Sequence, residues 1–291
     1  MSPDVYICGA PRSGTTSLCK YLSLHPSIAI TDPKETFFFQ RHESADEFEN
    51  ALEEQYLTHY QGEEIIGEGT TKTMYRSAAL DMIQEASPGA KLICLLRNPI
   101  ERAWSHYIYR VQHQQRPPTV TFSEVIRNEE TDENKALEVG IVELGRYWKY
   151  IRRLIERFSA ESVHVIVSAD LFDDPNGQMA ETFRFLGADP SVDQDFGGVH
   201  NESSYPVSPN IYQLLHSAWK PVENILPSGV QESMREPVQH IREFLLSTGS
   251  RKPRMKSPDR RYLRELYWES NCRLEDLLDR DLSHWRERDG E

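Results

Sequence analysis

Asp4–His25, DVYICGAPRSGTTSLCKYLSLH, holds a strand, a turn and a helix start in one short stretch. Val5-Tyr6-Ile7-Cys8 is an apolar run with the length of a buried strand. Gly9-Ala10-Pro11-Arg12-Ser13-Gly14 reads as a turn, and Thr15-Thr16-Ser17 begins a helical pattern. Leu18, Tyr21, Leu22 and His25 recur at helical spacing, and Pro26 stops the run. A strand, a glycine turn and a hydroxyl-rich helix start make a cradle for phosphate. The first-turn N–H groups of a helix have no intrahelical partners and carry the positive end of its dipole. Gly9 and Gly14 let the backbone pass close to an anion with no side chain in the way.

The glycine spacing matches the G-x-x-x-x-G-K-[ST] loop of nucleotide hydrolases, but Thr15 stands where that loop has lysine. The positive charge sits instead at Arg12, inside the turn. Without the lysine, grip on a β/γ-phosphate pair is poor, which counts against a P-loop kinase or hydrolase. A strand-to-helix turn that holds no ligand is the plain structural alternative.

With 291 residues, the chain is long enough for a sizeable core, and 38% hydrophobic with 27% charged residues suits a globular protein. The net charge of −13 argues against a nucleic-acid binder, which needs a basic face. It weighs less strongly against a highly anionic polymer as substrate. Cys8, Cys19, Cys94 and Cys272 are scattered with no C-x-x-C, so neither a metal site nor a disulfide framework is expected. No leader precedes the first strand and no apolar run is long enough to span a membrane, so the expected location is cytoplasmic. Nothing in the sequence fixes an oligomeric state.

Ile28-Ala29-Ile30 is a short apolar segment, and Lys34-Glu35-Thr36-Phe37-Phe38-Phe39 follows the Asp32-Pro33 turn. Three successive phenylalanines cannot share one face of a strand. They form either an ordinary aromatic core segment or a pocket wall with the Glu35 carboxylate at its edge. Residues 41–68 carry nine Asp/Glu against one Arg, with Phe48, Leu52 and Tyr56 every four residues, which predicts an amphipathic helix with an acidic face. Glu64 to Glu68 reads as a strand leading to Gly69-Thr70-Thr71-Lys72. Lys91 to Leu96 is an unbroken apolar strand suited to a parallel sheet covered on both faces. It ends at Arg97, where a nucleotide hydrolase would put a magnesium-holding Asp. Asn98, Pro99 and Glu101 start a helix as cap, first residue and capping-box partner. Ser105 lies two turns in, so Arg97 and Ser105 could converge on one phosphate.

Arg116-Pro117-Pro118 opens a polar connection to about Gly140, a helix is expected from Gly145 to Phe158, and Val163 to Val167 alternates into a strand. Asp174-Pro175 opens a helix that stops at Gly187, and His164 reads as structural. Further helices are expected near 209–219, 230–247 and 258–278. Arg251 to Arg264 has seven basic residues and one acidic, an inversion in an acidic chain that calls for a role. Strands and helices alternate through the first 190 residues, so the expected class is α/β, a mainly parallel sheet flanked by helices.

Three of these stretches carry a family likeness. Pro-Arg-Ser-Gly-Thr-Thr-Ser-Leu, from Pro11, resembles the 5′-phosphosulfate loop of sulfotransferases that use 3′-phosphoadenosine-5′-phosphosulfate (PAPS), close to P-K/R-S-G-T-T. Leu96 to Tyr107, LRNPIERAWSHY, resembles that family's 3′-phosphate signature, R-[DN]-P-x-[ED]-R-x-x-S-x-[YFW], and meets every fixed position. Lys34-Glu35 followed by the phenylalanines resembles the segment of heparan-sulfate-type sulfotransferases whose Glu is the catalytic base. The resemblance implies one sulfotransferase domain over 1–291, with the family's P-loop-like fold and a helical C-terminal part. It implies transfer of a sulfuryl group in line from PAPS to an acceptor hydroxyl on a small metabolite, lipid or sugar. The product would be 3′-phosphoadenosine-5′-phosphate (PAP), and no metal takes part.

On the same resemblance Glu35 is the general base and Arg12 contacts the transferred group. Lys72 lies near the sulfuryl group, although displaced from the family's usual place after the strand. Arg12, Ser13, Gly14, Thr15, Thr16 and Ser17 hold the 5′-side phosphate, and Arg97 with Ser105 the 3′-phosphate. Arg251, Lys252 and Arg254 belong to a basic loop that closes over the phosphoadenosine. A histidine base, as in cytosolic sulfotransferases, is the competing assignment, with His106 and His113 the candidates. His106 follows Ser105 directly and should point roughly 100° away from the phosphate-facing side, a poor position for a base. Two rivals stand beside this reading: a P-loop nucleotide kinase, and a nucleotide-binding module without chemistry.

Overall fold

The computed structural model describes residues 2–41, 51–113, 115, 120–129, 140–192, 196 and 254–287. Five strands form one sheet in the order β2-β3-β1-β4-β5, and every pairing is parallel. They are β1 (Val5–Gly9), β2 (Ile28–Ile30), β3 (Ile65–Glu68), β4 (Lys91–Leu96) and β5 (Val163–Val167). The helices, in chain order, are α1 (Thr15–Leu22), α2 (Phe38–Arg41), α3 (Ser77–Ala86), α4 (Pro99–Gln112) and α5 (Phe122–Asn128), followed by α6 (Tyr147–Phe158), α7 (Ser168–Asp173), α8 (Pro175–Leu186) and α9 (Ser257–Leu278). This is the α/β class that the alternating pattern predicts.

The apolar runs of β1 and β4 are unbroken because both faces of the sheet are covered. Tyr6 and Cys8 with Leu92, Cys94 and Leu96 enter a core shared with α3 and α6. Val5 and Ile7 with Ile93 and Leu95 point the other way, against α1 and α8. Alternation along a strand therefore feeds two layers from one hydrophobic sequence. A third cluster joins α4, α5 and α9 through Trp104, Phe122, Leu263 and Tyr267.

Several local expectations change. Helix α1 stops at Leu22, short of His25, because the His25 ring closes the next turn: Ser27 N–H donates to Nδ1 (3.1 Å), and Nε2 meets Asp189 O (3.1 Å). The phenylalanines form no strand. Phe37 takes φ 54°, and the chain turns into α2, which buries Phe38 and Phe39 and leaves Phe37 half-buried at the rim. Glu101 does not complete a capping box. Asn98 accepts from Ile100 N (3.0 Å), while Glu101 Oε1 takes Arg260 Nη2 (2.7 Å) from α9. Part of the expected polar connection after residue 116 is the helix α5, started by a capping box between Thr121 and Glu124. Within the acidic 41–68 stretch, Leu52–Tyr56 is a single π-helical turn, and residues 42–50 lie outside the described residues. The expected helices at 209–219 and 230–247 lie outside them too, whereas the one at 258–278 is α9.

Candidate active site

Because all five strands are parallel, the chain leaves each one at the same edge of the sheet. The segments after β1 (Arg12), β2 (Glu35), β3 (Thr71, Lys72), β4 (Arg97) and β5 (Ser168) therefore gather there. Strand β1 lies between β3 and β4, so the loops that follow β1 and β4 flank a crevice where the strand order switches direction.

The loop after β1 is fixed by its neighbours. A Cβ at Gly9 would fall 2.1 Å from Met74 Sδ, and one at Gly14 2.7 Å from Phe172 Cζ. Gly14 also sits at φ 100°, so glycine is required there twice over. Arg12 holds φ 69°, a sparsely populated region for a residue with a side chain, and it persists because the surroundings over-determine it. Ser168 Oγ donates to Ser13 O (2.6 Å), and Arg97 Nη1 reaches Arg12 O (3.4 Å). The Tyr147 hydroxyl in turn donates to Arg97 O (3.0 Å). The loop is thus tied to β4, β5 and α6 before any ligand arrives.

Helix α1 supplies the anion-seeking groups. Its first internal bonds run from Ser17 N and Leu18 N to Gly14 O, so the preceding N–H groups of Gly14, Thr15 and Thr16 stand at the open end. Gly14 as the cap contributes no side chain to occupy them. Ser13 Oγ is buried and has no hydrogen-bond partner among the described residues, an orphan hydroxyl in the floor of the loop. Thr15 and Ser17 are buried, and Thr16 is exposed. These groups fit a phosphate or sulfate oxygen set. The Arg12 guanidinium lies 4.5 Å above the Tyr109 ring, which holds its charge at the mouth of the loop.

Two carboxylates stand close in sequence to this edge and differ in kind. Glu68, at the end of β3, is fully buried and takes Thr36 N (3.1 Å), Thr36 Oγ1 (3.0 Å), Thr70 N (3.1 Å) and Thr70 Oγ1. Burial raises its pKa against the pull of those hydrogen bonds. Glu35 is half-buried, and only one of its oxygens is held: Oε1 accepts from Thr71 N (3.1 Å) and Thr71 Oγ1 (2.5 Å), with Lys34 Nζ at 3.6 Å. Lys34 Nζ also donates to Gly69 O (3.3 Å). Glu35 Oε2 takes no donor among the described residues. Glu68 is a structural anchor, and Glu35 is the carboxylate left with a free oxygen.

Lys72 is half-buried just beyond Thr71, and Ser105 is buried on the second turn of α4. Arg254 is exposed, and Arg251 and Lys252 lie outside the described residues. From the same basic stretch, Arg260 is occupied by Glu101. Nothing in the sequence marks Ser168 or Tyr147, which with Thr71 brace the site residues from three separate elements. Only the hydroxyl pair Thr70-Thr71 after Gly-Glu-Gly offered a local sign. His106 directly follows Ser105 on α4. It is buried, with Lys72 and Arg12 among the cations that face it. Among the described residues, no group of three His, Cys, Asp or Glu stands ready to hold a metal, and no helix is long and apolar enough to cross a membrane.

Comparison with known proteins adds a family. The sulfotransferase domain family matches residues 2–207. A membrane-associated sulfotransferase of Dictyostelium discoideum is 33% identical over 139 residues, which cover 45% of this chain and 28% of that protein. Human heparan sulfate glucosamine 3-O-sulfotransferase 3B1 is 24% identical over 185 residues, 64% of this chain and 46% of that one. The matches thus span less than half the length of these relatives. Among solved structures, a sulfotransferase from Alicyclobacillus acidocaldarius superposes with a TM-score of 0.68 at 23% identity, covering 99% of this chain and 100% of that one. A mouse sulfotransferase complexed with PAP gives 0.51 at 14% identity, covering 95% and 89%. Both likenesses are of fold.

Proposed function

The chain belongs to the sulfotransferase domain family, and on that premise we propose that it moves the sulfuryl group of PAPS to an acceptor hydroxyl, with PAP as the second product. The cosubstrate supplies a sulfuryl group already activated by its bond to the 5′-phosphate. Gly14, Thr15 and Thr16 present their N–H groups to that phosphate, Ser13 its hydroxyl, and Ser17 completes the helix start behind them. Arg97 and Ser105 hold the 3′-phosphate, the arginine by a charge-assisted fork. Arg254, exposed just before α9, is the described member of the basic stretch assigned to the nucleotide.

The observation that carries the chemistry is Glu35. One of its oxygens is held by Thr71, and the other is left open at the edge where Arg12, Lys72 and Arg97 gather. Glu35 Oε2 takes the proton as the acceptor oxygen forms its bond to sulfur. The S–O bond to the 5′-phosphate breaks at the same time, and its electron pair stays on the phosphate. Arg12, Lys72 and the α1 N-terminus spread the charge that develops on the transferred and leaving oxygens. The half-buried Phe37 at the rim of the site suits an acceptor that is neutral or partly apolar, a small alcohol, a lipid or a sugar.

The test is incubation with PAPS carrying labelled sulfur and a fractionated extract of the source cells, followed by isolation of the labelled product. A labelled alcohol ester, formed equally well in EDTA, is the expected result, since β4 ends at the cation Arg97 where a magnesium site would need a carboxylate. Transfer of the γ-phosphate of ATP with magnesium, and none from PAPS, would overturn it.

A further inference from the structure

We propose that His106 serves the transfer as a neutral Nε2–H hydrogen-bond donor, and that buried Arg102 is the positioning residue that fixes this tautomer. The inference rests on the sulfuryl-transfer reading above and adds a residue that reading does not use. Arg102 is fully buried on α4, one turn before His106. Its Nη2 is pinned to Ile141 O, and its Nη1 lies 3.3 Å from His106 Nδ1. Arginine nitrogens only donate, so Nδ1 must accept, and the ring proton is left on Nε2. Among the described residues the ring makes this one hydrogen bond. Nε2–H is therefore a donor in search of an acceptor.

The charges around the ring say what that acceptor is. Arg102 and Arg110 face it from its own helix, and Lys72 and Arg12 from the loops after β3 and β1. All four are cations. Together with burial they push the imidazole well below its ordinary pKa, so it stays neutral at physiological pH and gains nothing by taking a proton. A ring in this setting is unfit as the base that removes the acceptor proton. It is suited to donate, and the ligand that would bring oxygens to the neighbourhood of Arg12 and Lys72 is the phosphosulfate group. No proton leaves His106 in the step. Nε2–H strengthens its hydrogen bond as negative charge builds on a sulfuryl or bridging oxygen.

Nitrogen NMR of the full chain with 15N-labelled histidine tests the tautomer without any substrate, with the His106 signals assigned by their loss in His106→Gln. The expected spectrum has an unprotonated Nδ1 and a protonated Nε2, unchanged from pH 5.5 to 8. A proton on Nδ1, or a titration inside that range, would overturn the proposal. Single-turnover transfer from PAPS supplies the second arm. His106→Phe should lose at least tenfold, and His106→Gln, which can offer an amide N–H near the same place, should recover most of the loss. Full activity in His106→Phe would sink the donor role, as would an acidic limb of the wild-type pH profile that vanishes in His106→Gln. Calorimetry of wild type with PAP keeps the two readings apart. Absence of both PAP binding and transfer would fail the sulfotransferase function, while the NMR arm would still decide the tautomer.

Discussion

Glu35→Gln keeps the shape and the Thr71 contacts of the side chain but cannot take a proton. A positioned base is worth roughly a hundred- to ten-thousand-fold, and kcat should fall by that order in single-turnover assays. PAP affinity by calorimetry should hold, because Glu35 is assigned no part in binding the nucleotide. Arg97→Ala should act in the opposite sense. A hydrogen bond between charged groups contributes about 1.5–3 kcal/mol, so affinity for PAP should drop roughly ten- to hundredfold while AMP, which lacks the 3′-phosphate, weakens much less. Equal loss for both ligands would assign Arg97 to the loop, where its Nη1 already meets Arg12 O. Glu35 itself was legible in the sequence as a carboxylate beside aromatics. That Glu68, the other carboxylate at this edge, is sealed by two threonines was not, because its partners Thr36 and Thr70 come from different loops.

Among the elements, the turn into α1 and the tether of α9 carry separate expectations. Gly14→Ala puts a methyl group against Phe172 and forces a side chain into the left-handed region. Strain of this kind costs of order 1–3 kcal/mol, and PAP binding should suffer with it, as melting curves and calorimetry on one sample would show. Helix α9 is held to α5 by Asp259, a buried carboxylate that accepts from Ser123 Oγ (2.7 Å) and Arg127 Nη1 (2.7 Å). Asp259→Ala should destabilise the fold by about 1.5–3 kcal/mol in urea melts. The strand-turn-helix of residues 5–22 could be read from the chain because its signals are local: apolar run, glycines, periodicity. The end of α1 and the helix α5 carry no such local signal because they depend on partners. His25 closes a turn through a ring that reaches Asp189, and α5 is a stable piece only where Phe122 packs on Trp104 and Tyr107.

For the molecule as a whole, acid should unfold the protein earlier than its carboxylates alone require. Burial pushes His164 down to about 4, against an ordinary value of 6.5. Between those two values the unfolded chain binds a proton that the folded one refuses, so stability is full above pH 6.5 and is lost as pH falls towards 4. At about 1.4 kcal/mol per pKa unit, the loss from this one ring is at most ~3.5 kcal/mol. His106 is shifted the same way and adds to it. Urea melts at pH 7 and 4.5 should show a smaller acid loss in His164→Gln than in wild type. An identical loss in both would remove His164 from the account.

The sequence by itself determined the α/β class, the parallel core strands and the strand, glycine turn and helix of residues 5–22. Hydrophobic runs, glycine spacing and helix caps act over a few residues and mean the same thing in any chain that contains them. The family likeness lay in three short stretches, Pro11–Leu18, Lys34–Phe39 and Leu96–Tyr107, and the comparisons agree with it. Tertiary structure alone decided how the pieces meet. Thr71 grips one oxygen of Glu35, Ser168 and Arg97 brace the carbonyls of Ser13 and Arg12, and Arg102 claims Nδ1 of His106. The first three cross between loops that leave different strands, and the last needs a guanidinium immobilised by the carbonyl of Ile141. Contacts between residues far apart in sequence leave no periodicity, because nothing in the chain marks them until a parallel sheet brings its strand ends to one edge.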